Sequence, residues 1–257
     1  MENKILFENK GNVGVLILNN PKKLNAFDLD MIKELNDALE KIKKSKIEVV
    51  VLRGAGKSFS SGGDIHWERC IGTLNVKESK KQMKFVQEVF SKIETMDQVF
   101  IAVIQGYAVG GGNELTMACD IRIALPSAKF IHPETSLGTV APLGGTKRLP
   151  RLIGLGRAKY MLFTGSTIDS KTALEWGLVD FIVPDNQINP FLDSITGKIA
   201  SNPGKALALT KKSVNENYLE DLNDKFEVDS YIKCSRTKEN RNILKNLLRK
   251  KDSTKIS

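Results

Sequence analysis

Three consecutive glycines in the middle of the chain, Gly110 to Gly112, are placed where main-chain groups could bind a ligand. They follow an apolar segment, residues 99–104, whose β-branched content is typical of a buried strand. Residues 113–118 then predict a helix. Glycines let the backbone approach a ligand closely, and the first amides of a helix have no partner within the helix. The segment therefore predicts a pocket for an anion or a polarised carbonyl oxygen.

Two carboxylic acids accompany this glycine run. Glu114 lies in the first turn of the predicted helix, and Glu134 follows twenty positions later, directly after Pro133. Taken singly, the features have plainer interpretations: a flexible glycine turn, and glutamates favoured by the helix dipole or by the first turn after a proline. The combination of strand, glycines, acid, strand and acid in one short stretch nevertheless indicates an active site.

A second glycine-rich turn, residues 59–65, follows another predicted strand and could supply a second amide to the same pocket. Just before it, Gly54-Ala-Gly-Lys-Ser58 lacks the first glycine of a P-loop, which argues against nucleotide hydrolysis. The turn contains no Gly-x-Ser-x-Gly elbow, and with only His66 and His132 in the chain a serine triad is not favoured.

The amino-acid composition indicates a globular protein with a large core. The chain has 257 residues, of which 41% are hydrophobic and 27% are charged, enough for one large domain or one domain with a helical appendage. No apolar run reaches the length of a membrane span, and the N-terminus does not resemble a secretory signal. Three widely spaced cysteines and two histidines favour neither disulfides nor a metal site. We therefore expect a cytoplasmic protein without a metal and without membrane contact.

The chain is basic, with a formal net charge of +9 and an isoelectric point near 9.3. Such a surface suits nucleic acid, acidic membranes or a small molecule that carries phosphates. The lysines are scattered along the chain in pairs, which is also the usual appearance of a solvated surface.

The order of predicted elements favours an α/β fold. Residues 4–8 and 13–19 read as a hairpin turned at Gly11, Asp28 is a good helix cap, and residues 48–53 read as a buried strand. Residues 66–78 are predicted to be a mobile loop. Beyond about residue 190 the pattern is nearly all helical, with helices over 188–201, 203–218, 222–234 and 236–249. We accordingly predict a core over 1–190 that holds the active site, and a helical part over 191–257.

Several motifs occur in one order along nearly the whole chain. They are Asn20-Pro-x-x-x-Asn-Ala26, Phe59-Ser-Ser-Gly-Gly-Asp-Ile65, Gly106-Tyr-Ala-Val-Gly-Gly-Gly-Asn-Glu114, Cys119-Asp120, Pro133-Glu134, Gly144-Gly-Thr-Lys-Arg-Leu149, Leu162-Phe-Thr-Gly165 and Ala173-x-x-x-Gly-Leu-Val179. With these motifs the chain resembles the enoyl-CoA hydratase/isomerase (crotonase) superfamily, and within it the enoyl-CoA hydratases. Because the superfamily supports many reactions on one scaffold, the resemblance is more specific for the family than for the activity.

The resemblance implies a spiral of repeated β-β-α units, with a C-terminal helical part that mediates formation of trimers or of hexamers. It implies an acyl-CoA thioester substrate, with coenzyme A as part of the substrate and no separate cofactor. The amides of Gly63 and Gly111 match the oxyanion hole for the thioester oxygen. Glu114 matches the carboxylate that activates water for attack on Cβ, and Glu134 matches the one that delivers a proton to Cα.

The resemblance also implies contacts with coenzyme A. The matching positions are Lys22, Leu24 and Ala26 in the first loop and Ser61, Asp64 and Ile65 in the second glycine-rich turn. The chain departs from the family pattern at two places, of which the first changes a wall of the acyl pocket. Ala141-Pro142 replaces the usual Pro-Gly, and Asn113 adds a polar group before the first acid. Trp67, in the predicted loop, either limits the length of the acyl chain or packs in the core.

Alternative functions remain open at this point. Members of the family that shift a double bond need only the acid at the position of Glu134, so the presence of both acids favours hydration. Outside enzymes, a basic member of this fold could bind RNA through a lysine-rich helix, which here carries Lys33, Lys41, Lys43, Lys44 and Lys46. Nucleic-acid binding falls steeply with salt concentration whereas hydratase turnover does not, which separates the two functions experimentally.

Overall fold

The computed structural model describes residues 3–219 and 224–253. The strands in these residues are β1 (Ile5–Lys10), β2 (Val13–Leu18), β3 (Val49–Gly54), β4 (Val99–Ile104), β5 (Tyr107–Val109), β6 (Ile121–Ala124), β7 (Lys129–Ile131), β8 (Ile168–Asp169) and β9 (Phe181–Ile182). The helices are α1 (Leu29–Lys43), α2 (Ile65–Thr73), α3 (Val76–Thr95), α4 (Gly111–Met117), α5 (Gly145–Ile153), α6 (Leu155–Thr164), α7 (Ser170–Trp176), α8 (Ile188–Ala200), α9 (Gly204–Leu219), α10 (Asp224–Ser235) and α11 (Lys238–Ser253). Short 3-10 helices cover Pro21–Lys23, Glu134–Leu137 and Asp185–Gln187.

The strands form two sheets. The larger has the order β1-β2-β3-β4-β6-β9, in which only the β1–β2 pair is antiparallel. The smaller has the order β5-β7-β8, with β5 and β7 parallel. The chain therefore leaves the large sheet after β4 and again after β6, and each time adds a short strand to the small sheet. This repeated path confirms the predicted α/β class and is consistent with a spiral of β-β-α units.

Local sequence signals account for the best-predicted elements. The β1–β2 hairpin turns at Gly11, which has a positive φ of 76°, as predicted. Asp28 caps α1, and its side chain accepts a hydrogen bond from the amide of Met31 at 2.9 Å. The apolar face of α1, which includes Ile32 and Leu39, is buried against β1 and α3.

Residues 66–78 are not the mobile loop that the sequence predicts. They form most of α2 and the start of α3, and each helix begins at a capping side chain. Asp64 accepts a hydrogen bond from the amide of His66 at 2.9 Å, and Asn75 accepts one from Glu78 at 2.9 Å. Ile71 is completely buried and fixes α2 to the core. The prediction failed because the polar residues of α2 obscure its helical period.

The helical C-terminal region is confirmed, although the first residues of the predicted helix over 222–234 lie outside the described residues. α9 is attached through Lys211, whose buried ammonium donates to the carbonyls of Ile93 and Gln98 and to Asp120 at 2.8 Å each. The predicted domain boundary at residue 190 and the role of this region in trimer formation stay predictions.

The last two helices fold back over α2 and α3 of the same chain. Arg236 donates to the hydroxyl of Ser79 at 2.7 Å, and Asn240 donates to the carbonyl of Leu137 at 2.6 Å. Hydrogen bonds thus join this pair of helices to α3 and to the 3-10 helix Glu134–Leu137. Among the described residues no helix has both the length and the apolar character needed to cross a membrane.

Candidate active site

A cavity of about 290 Å³ lies between the glycine turns and the C-terminal helices. Its wall contains Gly63, Gly111, Glu114 and Glu134, the four residues that the sequence analysis assigned to catalysis. Wider surface clefts, such as one of about 710 Å³ beside α9, are not lined by these residues. The cavity is mostly apolar, so the few polar groups that face it determine what it can bind.

The turn that carries Gly63 is held by main-chain hydrogen bonds. The amide of Phe27 donates to the carbonyl of Gly62, and the amide of Asp64 donates to the carbonyl of Phe27, each at 2.7 Å. These two bonds lie on either side of Gly63 and leave its own amide without an acceptor among the described residues. A rigid turn with a vacant donor at the cavity wall is suited to binding a ligand oxygen.

The turn before Gly111 is fixed in a similar way. The amide of Val109 donates to the carbonyl of Ser60 at 3.0 Å, which joins the two glycine-rich turns to each other. The amide of Gly110 donates to the carbonyl of Ile131 at 2.9 Å. Gly111 is the first residue of α4, and its amide also lacks an acceptor among the described residues. The two vacant donors therefore belong to directly bonded segments and face one cavity.

Glu114 is completely buried, and backbone groups of the following loop fix its carboxylate. Its Oε1 accepts hydrogen bonds from the amides of Leu143 at 2.7 Å and Gly145 at 2.8 Å. Arg148 holds that loop in turn, because it donates to the carbonyl of Leu143 at 2.9 Å and forms an ion pair with Glu94 at 2.6 Å. The unusual Ala-Pro segment of this loop thus precedes the residues that position the first acid.

Glu134 opens a 3-10 helix directly after Pro133, in agreement with the first-turn interpretation of the sequence. Its carboxylate lies against the glycine turn, since a methyl group on Gly110 would lie 3.0 Å from Oε1. The next residue, Thr135, donates its hydroxyl to the carbonyl of Leu162 in α6 at 2.5 Å. α6 therefore supports the segment that carries the second acid.

A buried histidine behind Glu134 was missed by the sequence analysis. His132 is completely buried, and its Nε2 lies 3.0 Å from Nδ2 of Asn113, which can act only as a donor. This contact assigns the proton of a neutral imidazole to Nδ1, which lies 3.4 Å from Oε1 of Glu134. Thr116 extends this series of hydrogen bonds, because its hydroxyl donates to Oδ1 of Asn113 at 3.1 Å. Asn113, noted only as a departure from the family pattern, thereby connects α4 to the second acid.

We expect replacement of His132 by leucine to lower kcat by roughly ten- to a hundredfold, because the carboxylate of Glu134 loses the donor that orients it. His132→Gln, which keeps an NH donor, should lose less. Steady-state kinetics with crotonyl-CoA measures both effects, and circular dichroism checks the fold. Equal kcat values for the leucine variant and the unchanged protein would contradict this positioning role.

A third carboxylic acid, also missed, faces the cavity. Glu68 on α2 lines this cavity and is partly exposed there. The pKa of its carboxyl is raised to about 8, chiefly because the group is removed from bulk water and in part because of the negative charges of Glu134 and Asp64. Tyr231 on α10 also lines the cavity. Burial, followed by the charges of Glu68, Glu114 and Glu134, raises the pKa of its hydroxyl. At neutral pH both groups are therefore mainly protonated.

The residues predicted to contact coenzyme A are divided between the cavity and the adjacent surface. Ser61 and Ile65 line the cavity, whereas Lys22 and Leu24 are exposed in the first loop and Ala26 is buried behind it. The amide of Ser61 donates to the carbonyl of Leu24 at 2.9 Å, so the two predicted loops are adjacent. Their contact with coenzyme A stays a prediction.

Asp64 is engaged within the protein. It caps α2 and forms an ion pair with Lys23 at 2.7 Å. Although burial opposes the change, the hydrogen bond and charge of Lys23 lower the pKa of Asp64. Its carboxylate is therefore ionised and satisfied without a ligand.

The spiral of paired sheets, with two glycine turns beside two acids, defines a crotonase-fold protein. The sequence model described as "Enoyl-CoA hydratase/isomerase" matches residues 8–249. The chain is 35% identical over 253 residues to a short-chain-enoyl-CoA hydratase of Clostridium acetobutylicum, covering 97% of this chain and 96% of the relative. It is 35% identical over 257 residues to a crotonyl-CoA hydratase of Syntrophomonas wolfei, covering 98% of each.

A solved structure agrees with these relatives. The crystal structure of an enoyl-CoA hydratase from Bacillus anthracis superposes with a TM-score of 0.79 at 33% identity, over 96% of each chain. The chain belongs to the enoyl-CoA hydratase/isomerase family. The resemblance stated from the motifs is thereby confirmed.

Proposed function

We propose that the protein is an enoyl-CoA hydratase, which adds water reversibly to the double bond of a 2-enoyl-CoA to give a 3-hydroxyacyl-CoA. The observation that carries this proposal is the presence of two vacant main-chain donors and two glutamates in one cavity. The names and near full-length similarity of the relatives support the same activity.

In the proposed reaction the thioester oxygen accepts hydrogen bonds from the amides of Gly63 and Gly111. Negative charge grows on this oxygen as water adds to Cβ, so fixed donors stabilise the transition state, each by roughly 3 kcal/mol on the precedent of other oxyanion holes. These donors need no reorganisation, because neighbouring hydrogen bonds already hold both turns. Main-chain amides, and no side chain, therefore polarise the thioester carbonyl in the proposed reaction.

The two acids divide the proton transfers. Glu114 takes a proton from water as the oxygen bonds to Cβ, and Glu134 gives a proton to Cα, so the enzyme as a whole neither gains nor loses a proton in the addition. The two main-chain donors to Oε1 of Glu114 fix the orientation of that carboxylate. For Glu134, the neutral His132 supplies the orienting group.

Hydration is favoured over a double-bond shift because both acids share the cavity, while a shift needs only the acid at Glu134.

We further propose that the phosphates of coenzyme A bind lysines near the first loop, where Lys22 is exposed and Lys23 is paired with Asp64.

Assembly into trimers or hexamers is also proposed. Its support is a group of exposed apolar side chains on α6, Leu155, Tyr160 and Phe163, which are 62%, 51% and 69% exposed in the single chain. α6 packs on the 3-10 helix that carries Glu134, so a subunit interface here would brace the second acid.

The loss of ultraviolet absorbance of crotonyl-CoA as its conjugated double bond is hydrated tests the proposed activity. We expect turnover with short 2-enoyl-CoA thioesters that changes little with salt, and reversal when 3-hydroxybutyryl-CoA is supplied. A protein that binds these thioesters without converting them in either direction would contradict the proposal. Steeply salt-dependent RNA binding in place of turnover would favour the nucleic-acid alternative.

A further inference from the structure

Three polar side chains that line the cavity have no hydrogen-bond partner among the described residues. The carboxyl of Glu68 and the hydroxyl of Tyr231 form no hydrogen bond or ion pair with the described residues. The hydroxyl oxygen of Thr139 is buried and has no partner either, and the whole residue is only 9% exposed. Since buried polar groups are nearly always paired, the buried hydroxyl of Thr139, together with the unpaired groups of Glu68 and Tyr231 at the same cavity, points to a ligand that pairs with them.

The carboxyl of Glu68 occupies the space beside Gly63. A methyl group added to Gly63 would collide with Oε1 of Glu68. The absence of a side chain at Gly63 therefore gives the Glu68 carboxyl its place beside one of the two vacant amides.

The charges around Glu68 disfavour an anionic partner. Glu134, Asp64 and Tyr231 face it from the 3-10 helix, the capping turn and α10, and none of them supplies a positive charge. Lys23 of the first loop is close to this turn, and its ammonium is paired with Asp64 at 2.7 Å. A protonated Glu68 both donates and accepts a hydrogen bond, and so do the hydroxyls of Thr139 and Tyr231. An alcohol, which also does both, is the complementary group.

Resting on the hydratase activity proposed above, we propose that Glu68 is a specificity-determining residue that binds a hydroxyl group on the acyl chain of the substrate, assisted by Thr139 and Tyr231. The preferred substrate is then a short, hydroxylated 2-enoyl-CoA. An alkyl chain of the same length would leave the three polar groups unpaired on binding, and sites built to pair with a hydroxyl reject such analogues strongly.

The test compares matched pairs that exchange a terminal hydroxyl for a methyl group. We expect 4-hydroxybut-2-enoyl-CoA to exceed pent-2-enoyl-CoA, or 5-hydroxypent-2-enoyl-CoA to exceed hex-2-enoyl-CoA, by at least about tenfold in kcat/KM. Glu68→Met should abolish this preference, while Glu68→Gln, which still donates and accepts, should retain most of it. Glu88→Met, an exposed replacement of the same kind on α3, should leave the ratio unchanged.

Equal or faster turnover of both alkyl substrates by the unchanged protein would overturn the inference while leaving the hydratase activity intact. A protein that hydrates none of the four thioesters would instead contradict the proposed function. An unchanged preference in Glu68→Met would show that another group binds the hydroxyl, and would likewise overturn the role of Glu68. If that variant does not fold, the ratios of the unchanged protein and of Glu68→Gln still decide the question.

Discussion

Replacement of Glu134 by glutamine is expected to lower crotonyl-CoA hydration by about 10²–10⁴-fold, and replacement of Glu114 by a similar factor, because each removes one proton transfer. The fold should survive both changes. A glutamine at position 114 keeps an oxygen that can accept from the amides of Leu143 and Gly145. A glutamine at position 134 keeps an acceptor for His132.

Steady-state kinetics of the two variants, with circular dichroism to confirm folding, makes this measurement. Glu88→Gln serves as the control, because Glu88 is exposed on α3 and does not line the cavity. Rates equal to those of the control in both variants would remove the assignment of the two acids. A loss in Glu134→Gln alone would favour the double-bond shift over hydration.

Replacement of Gly62 by alanine is expected to lower kcat/KM by about a hundredfold or more, although residue 62 carries neither acid nor oxyanion donor. Gly62 has a positive φ of 83°, and a methyl group there would lie 2.6 Å from the carbonyl oxygen of Val109 and 3.4 Å from the amide nitrogen of Gly111. The clash would push apart the two turns that present the vacant amides. A displacement of about 1 Å in a catalytic arrangement is sufficient for an effect of this size.

Gly11→Ala is the matched control for this substitution. Gly11 also has a positive φ, 76°, but a methyl group there would contact nothing within 4 Å. Both variants suffer the backbone strain of a left-handed alanine, about 1 kcal/mol, and only Gly62→Ala also separates the turns. Thermal unfolding measures the shared loss of stability, and kinetics measures the separate loss of activity. Equal activities of the two variants would show that the turns tolerate displacement.

Much of the fold could be predicted because its signals are local. Gly11 in its hairpin and Asp28 before α1 each determine a short segment by their own conformation or hydrogen bond. α2 was missed because its polar residues obscure the helical period and because its cap, Asp64, belongs to a glycine-rich turn. The strands β5 and β7 are three residues each, too short for a periodic pattern. They form because they pair with each other, although α4 and β6 separate them along the chain.

The site was predictable to the extent that its residues lie in sequence motifs. Glu114 and Glu134 follow recognisable glycine and proline signals, and the structure brings them into one cavity, although their roles stay predictions. The site also contains Glu68, His132 and Tyr231, whose positions there depend on contacts with residues that are distant in the sequence. His132 contacts Asn113 from another element, and Tyr231 reaches the cavity from α10 near the end of the chain. Contacts between residues that are far apart in the sequence cannot be predicted from the local pattern of residue types.

A crystal structure of the Glu114→Gln variant with crotonyl-CoA is the most direct test of the proposed catalytic arrangement, because the slowed reaction should keep the substrate in place. We predict that the thioester oxygen lies within about 3.1 Å of the amide nitrogens of both Gly63 and Gly111, with the carboxyl of Glu134 beside Cα. A thioester oxygen bound to any other donor, or an acyl chain in a different cleft, would contradict the account.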